Sequence, residues 1–301
     1  MLARLLRLML IFELFTYAFA GVVLVRLAGW TQGRALLLMV GLALAWRAGI
    51  IVVSYLFAYT HRSPLPESQR ITYHRGLLEG AREVLAHIAL MLVMAFDKLI
   101  LARDAPVKPL TGQFPLLLIH GYHCNRGFWW WLKPHLAAQG RSVATLTLEP
   151  LYGRIDGYAE QVARRVAALC RETGATQVIL VGHSMGGLVC RAYLRRYGEA
   201  RVAKLITLGT PHQGSLLARL APGRNAREME PGSAWLKALA ETESPLPIPC
   251  IAFYSPHDNY VMPQTSAMLD GAENRPLPGL GHLAMSISPV VLAVLLEVTV
   301  A

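Results

Sequence analysis

Serine becomes a useful nucleophile only with a base to take its proton and an acid to hold that base in the right tautomer. Gly182-His-Ser184-Met-Gly186 matches G-x-S-x-G, leaves the apolar run Val178-Ile-Leu-Val181 and is followed by Gly187. Strand, sharp turn and helix are the setting in which that motif has meaning. Glycines two before and two after leave room for a strained turn that lifts the hydroxyl of Ser184 above a sheet. Downstream, Cys250-Ile-Ala-Phe-Tyr-Ser255 ends in Pro-His-Asp258, which sets a carboxylate at the carboxyl end of a strand. Near the C-terminus, Leu277-Pro-Gly-Leu-Gly-His282 puts an imidazole in a glycine-rich loop. Ser184, Asp258 and His282 thus follow one another in the order nucleophile, acid, base. Two backbone N–H groups are needed for the developing oxyanion. Met185, directly after the nucleophile, supplies one, and Tyr122, after His120-Gly121, supplies the other.

These groups need a rigid frame. From residue 114 onward, short apolar runs alternate with helical stretches, the rhythm of a mostly parallel sheet covered on both faces. Strands are expected at 115–120, 142–148, 177–182, 204–208 and 250–255, and helices at 127–138, 155–173 and 187–197. The apolar residues Val162, Val166 and Leu169 recur three to four apart, as one buried helix face requires. His212 and His257 lie at strand ends without a flexible loop and are expected to make structural hydrogen bonds. Cys124 has no basic neighbour in sequence and reads as a core thiol. The four cysteines form no CxxC pair, which favours a reducing compartment.

His120-Gly121, Gly182-His-Ser-Met-Gly-Gly187, Leu208-Gly-Thr-Pro-His-Gln-Gly-Ser215, the Asp258 loop and Gly281-His282 together resemble the α/β-hydrolase superfamily. Within it, the likeness is to bacterial serine lipases and esterases, and it extends over about residues 112–300. The resemblance implies an α/β-hydrolase fold, the triad Ser184, Asp258 and His282, and an oxyanion hole of Tyr122 and Met185. Some secreted relatives carry calcium, but no ligand cluster is evident here, so neither metal nor cofactor is expected. Trp130 and Trp131 of the aromatic cluster, with Leu216 and Leu217, are the expected substrate contacts. The segment 216–249 lies where a lid over such a site would be inserted.

The first third of the chain is different. The whole has 301 residues, 54% hydrophobic and only 16% charged, with a net charge of +10. That excludes disorder and coiled coils, and is too apolar for an ordinary soluble enzyme. Residues 5–25 and 35–59 are each long enough to cross a bilayer as a helix. A second apolar span rather than a cleavage site follows the first, so the expectation is a retained transmembrane hairpin, not a signal peptide. Arg47 in the second span is expected to pair with Glu13 in the first. The shorter run 84–96 suits an interfacial helix. Arg4 and Arg7 before the hairpin and Arg62, Arg70, Arg75 and Arg82 after it favour cytoplasmic ends, and with them a cytoplasmic catalytic domain.

The expected organisation is therefore a membrane segment at 1–103, a linker at 104–113 and an α/β-hydrolase domain at 114–301. The expected protein is integral to a membrane, the inner one in a bacterium. The expected activity is hydrolysis of a lipidic acyl ester, with the bilayer as partner and no nucleic acid, since no aromatic-interleaved basic patch is present. The same triad also serves acyl transfer, thioester or peptide cleavage, and a non-enzymatic membrane scaffold is the remaining alternative.

Overall fold

The computed structural model describes residues 1–101, 108–110, 112–241, 246 and 248–299. Much of the expected linker, and parts of the expected lid segment, lie outside these residues. Leu2–Leu27 (α1) and Gln32–Thr60 (α2) are continuous helices. Neither contains a proline, and Thr31 caps the second by accepting from the N–H of Arg34. Both are long and apolar enough to cross a membrane by length and composition. Their apolar side chains face outward: Phe12, Phe15 and Phe19 of α1 and Leu37 of α2 are 72–74% exposed. Glu13 and Arg47 pair between the two helices, so each cancels the other's charge within the apolar surface.

The third helix, Tyr73–Ala95 (α3), starts well before the apolar run at 84. Its buried stripe runs Glu79, Glu83, Ala86, Leu90, Val93 and Met94. The spacing is helical, but its first two members are carboxylates, which hid that half of the helix from a reading by hydropathy. Thr72 caps it through the N–H of Arg75. A single turn, Asp97–Ile100 (α4), follows.

The remainder alternates strand and helix: Leu116–Ile119 (β1), Leu132–Ala138 (α5), Val143–Leu146 (β2), Ile155–Thr173 (α6), Val178–His183 (β3), Met185–Tyr197 (α7) and Val202–Leu208 (β4). Two short helices, Arg224–Glu228 (α8) and Ala234–Glu241 (α9), precede Cys250–Tyr254 (β5), Glu273–Pro276 (β6) and Pro289–Val298 (α10). The strand order is β2-β1-β3-β4-β5-β6, and every pairing is parallel. Strand β6, Glu-Asn-Arg-Pro, was not expected from its polar sequence. It lies at the sheet's edge, where a proline is tolerated and an apolar face is not demanded. The expected helix 127–138 is instead a 3₁₀ turn, Arg126–Trp129, followed by α5.

Alternate residues of β1 serve the two faces, as the pleat requires. Leu117 and Ile119 join the core under α6 and α7. Leu116 and Leu118 join the opposite core with Phe128, Trp129 and α10, and that same core contains Leu2, Leu6, Leu90 and Met94 from the N-terminal helices. Polar ties reinforce the junction. Asn125 Nδ2 donates to the Met94 carbonyl at 2.9 Å, Arg7 Nη1 to the Ala95 carbonyl at 2.7 Å, and Arg126 Nε meets Asp97 Oδ2 at 3.3 Å.

Candidate active site

Parallel strands end together, so the loops after β1, β3, β4 and β5 meet above one edge of the sheet. Ser184 stands between β3 and α7 at φ 55°, ψ −128°, one of two non-glycine residues at positive φ among the described residues. Such a backbone costs about 1–3 kcal/mol and persists only where the surroundings dictate it. Here they do. A Cβ on Gly182 would lie 2.5 Å from Gly187 Cα, and one on Gly186 would lie 2.3 Å from the Ile119 carbonyl oxygen. The strand, the turn and the start of α7 therefore meet backbone to backbone, and the Ser184 N–H is held by the Leu208 carbonyl at 2.9 Å.

Asp258 and His282, 24 residues apart in sequence, are joined by a 2.7 Å hydrogen bond between Oδ2 and Nδ1. The other carboxylate oxygen accepts the N–H groups of Tyr260 and Val261, at 2.7 and 2.9 Å. Three of the four lone-pair directions of the Asp258 carboxylate are thus taken by its own loop and the imidazole, which fixes the ring. Burial opposes charge on the His282 ring, but the Asp258 carboxylate, with Glu83 beyond it, outweighs burial, and the ring titrates above its ordinary 6.5. The Gly209–Ser215 stretch supports the acid loop from below: Ser215 Oγ donates to the Tyr260 carbonyl at 2.7 Å and accepts from the Met262 N–H at 3.1 Å.

Ser184 and His282 line one cavity of about 420 Å³. Among the described residues no hydrogen bond joins their side chains; in an unliganded site such bonds are often loose and tighten with substrate. The loop after β1 presses on Ser184, a Cβ on Gly121 falling 2.7 Å from Ser184 Cβ. That contact brings the Tyr122 backbone alongside. Neither the Tyr122 nor the Met185 N–H donates to another backbone carbonyl among the described residues.

Of the expected substrate contacts, Leu217 lines the cavity and Leu216 does not; the Leu216 N–H is tied to the Met262 carbonyl at 2.9 Å. Trp130 and Trp131 are also absent from the lining. They follow the 3₁₀ turn 126–129 and pack on the sheet-side core, where Trp131 stacks on His135 with ring centroids 4.1 Å apart. In their place the wall comes from the N-terminal helices: Met9 of α1, Trp46 and Ile50 of α2, and Leu90, Met91 and Met94 of α3. Nothing in the spacing of these residues marks them as site residues, because only packing brings them over Ser184. Glu83 of α3 was also missed, though a carboxylate on a buried helical stripe was a signal open to reading.

Cys124 lies in the same wall, where burial pushes its thiol up to about 12 and leaves it no nucleophile. His212 hydrogen-bonds Thr207 at 3.0 Å, and His257 accepts from the Gly279 N–H at 3.1 Å, so both are structural. Among the described residues no group of three or more His, Cys, Asp or Glu side chains is placed to hold a metal ion.

The family described as the alpha/beta hydrolase fold matches over residues 115–240. The mature form of a lipase from Bacillus licheniformis superposes with a TM-score of 0.60 at 18% identity, covering 66% of this chain and 97% of that one. The chain is an α/β-hydrolase in fold. Over 114 residues it is 33% identical to a triacylglycerol lipase of Pseudarthrobacter phenanthrenivorans, covering 35% of either protein. A triacylglycerol lipase of Burkholderia plantarii is likewise 33% identical over 114 residues, covering 35% of this chain and 32% of that protein. The matched stretch spans about a third of these relatives' length.

Proposed function

We propose that this α/β-hydrolase is a serine ester hydrolase, held in a membrane by α1 and α2 and acting on esters with long acyl chains. The observation that carries the reading is the shared cavity: it is lined by Ser184 and His282 and by α1, α2 and α3, whose lining side chains are mostly apolar, with the paired Glu13 and Arg47 and with His87 among them. A carbonyl placed at Ser184 would leave its hydrocarbon chain among Ile50, Leu90 and Met91, next to helices whose outer faces suit a bilayer. The triacylglycerol lipases to which the chain is 33% identical over 114 residues support the ester as the bond cleaved.

In this mechanism Ser184 Oγ attacks the ester carbonyl while His282 Nε2 takes its proton. The tetrahedral oxyanion is met by the N–H groups of Tyr122 and Met185, and Asp258 balances the imidazolium. Collapse breaks the carbonyl–alkoxy bond, and His282 returns the proton to the leaving alcohol. Water then attacks the acyl-enzyme and gives its proton to His282. The second collapse restores that proton to Ser184 and frees the carboxylic acid.

The test is hydrolysis of p-nitrophenyl esters from acetyl to palmitoyl by detergent-purified protein, beside Ser184→Ala. Turnover that is lost in the variant and greatest for long chains is the expected result. A maximum at acetyl would keep the ester hydrolase and remove the acyl-chain site. Absence of Ser184-dependent turnover on every chain would overturn the reading.

A further inference from the structure

A glycine-rich loop bearing a catalytic base should be mobile unless something outside it holds it. Here α3 does. Glu83 is fully buried, and its two carboxylate oxygens accept the backbone N–H groups of Leu283 and Ala284 at 2.9 and 2.8 Å. These two residues directly follow His282. Before it, Gly281 is pressed so closely that a Cβ there would fall 2.3 Å from Glu83 Oε2 and 2.7 Å from the Tyr55 hydroxyl of α2. A third tie runs through Asn259: its Oδ1 accepts the His282 N–H at 3.1 Å, and its Nδ2 donates to Ser54 Oγ of α2 at 2.7 Å. The base is therefore fixed on both sides by helices that lie outside the sheet and its covering layers.

A buried carboxylate is costly, and a neutral or apolar residue would pack a loop at lower cost. What a carboxylate adds is two strong acceptors for adjacent N–H groups and a negative charge close to a ring that becomes positive during the reaction. We propose that Glu83 is a positioning residue for His282: it holds the 282–284 turn over Ser184 and stabilises the imidazolium, so that the N-terminal helices complete the catalytic centre. The inference rests on His282 being the base of the proposed hydrolase.

The groups facing Glu83 are Tyr55 from α2, Tyr260 and Asp258 from the acid loop, and His282 itself. Glu79, one turn earlier on α3, is occupied by Arg82 at 2.6 Å. Burial raises the Glu83 acid against its two N–H donors, to about 7. Each group favours the charged form of the other: the Glu83 carboxylate raises His282, and a charged His282 ring lowers Glu83. Protonated Glu83 loses one acceptor and its charge together, so reactivity requires both groups in their deprotonated forms.

The test uses full-length, detergent-purified protein and an alkyl fluorophosphonate, which phosphonylates an activated serine with loss of fluoride and needs no ester. The rate of Ser184 labelling is followed against pH. Glu83→Gln is expected to slow the plateau rate about tenfold or more and to move the acidic limb to lower pH, because His282 loses a nearby negative charge. Glu83→Asp, which keeps the charge at shorter reach, should restore part of the rate and hold the limb near its original place. A contribution to packing alone would leave the limb unmoved, so an unmoved limb in folded Glu83→Gln overturns the proposal. If that variant does not fold, Glu83→Asp decides, since its shorter reach loosens the hold on the Leu283 and Ala284 N–H groups: a slower plateau rate is expected, and a plateau equal to that of the unsubstituted protein overturns the proposal. Absence of Ser184-dependent labelling in the unsubstituted protein would instead remove the hydrolase reading on which the inference stands.

Discussion

Ser184 shows how much chemistry a single backbone angle can carry. Its positive φ points the hydroxyl out of the chain's path, and Gly182, Gly186 and Gly187 are there because any Cβ would meet backbone or the Thr210 side chain. Asp258 and His282 are held as tightly, by one side-chain bond between them and two N–H donors to Asp258. His282 must be neutral to accept the serine proton, and its titration lies above 6.5. Activity should therefore rise with pH through a value above 6.5 and fall away below it. Asp258→Asn should lower kcat/KM by about a thousandfold or more, through the wrong tautomer. It should also shift the remaining acidic limb downward, since the leading upward influence on the ring is gone. Initial rates across pH, measured on both proteins, check the two statements together.

At the scale of elements, α3 performs two tasks on one stripe. Glu83 grips the histidine loop, while Leu90, Met91 and Met94, about two to three turns further on, line the cavity. Helical spacing makes this possible, since residues three, four, seven and eleven apart share a face. The aromatic cluster 128–131 has a different job: Phe128 and Trp129 are fully buried between the sheet and α3, and Phe128 stacks on His183 with centroids 4.1 Å apart. Under the proposed function, chain-length selectivity falls to α3, which lines the cavity, and not to Trp130 or Trp131, which do not. Met91→Trp, enlarging a half-buried cavity residue, should reduce palmitoyl ester turnover at least about tenfold relative to acetyl. Trp131→Ala should leave that ratio within about twofold. The ratio of kcat/KM for the two esters is the measurement.

For the whole molecule, the N-terminal helices are continuous with the hydrolase core through Leu2, Leu6, Leu90 and Met94, while their outer surfaces expose phenylalanine and leucine. A surface of that size left in water would associate. The full chain should therefore sediment with membranes and stay there after alkaline carbonate washing, and release should require detergent. Recovery in the carbonate-soluble fraction would assign the apolar faces to another protein surface instead.

The division between what was legible in the chain and what was not follows from the range of each interaction. Strand, elbow and helix are local: Val178–Val181, three glycines and the α6 stripe state them within a few residues, and the Ser, Asp, His order with the Gly-Thr-Pro-His-Gln-Gly-Ser stretch points to the fold that the structure displays. The length and hydropathy of α1 and α2 are local as well, as is the opposite charge that pairs Arg47 with Glu13. The polar edge strand β6, the inward half of α3 and the cavity wall carry no local mark. Each exists because distant segments pack: β6 because β5 offers an edge, and Glu83 because two N–H groups 200 residues away need acceptors where water cannot reach. Sequence alone determined the candidate chemistry and the membrane-like helices; only the tertiary structure decided that those helices form the roof of the site, since burial against a partner is a property of the folded surface and not of any segment.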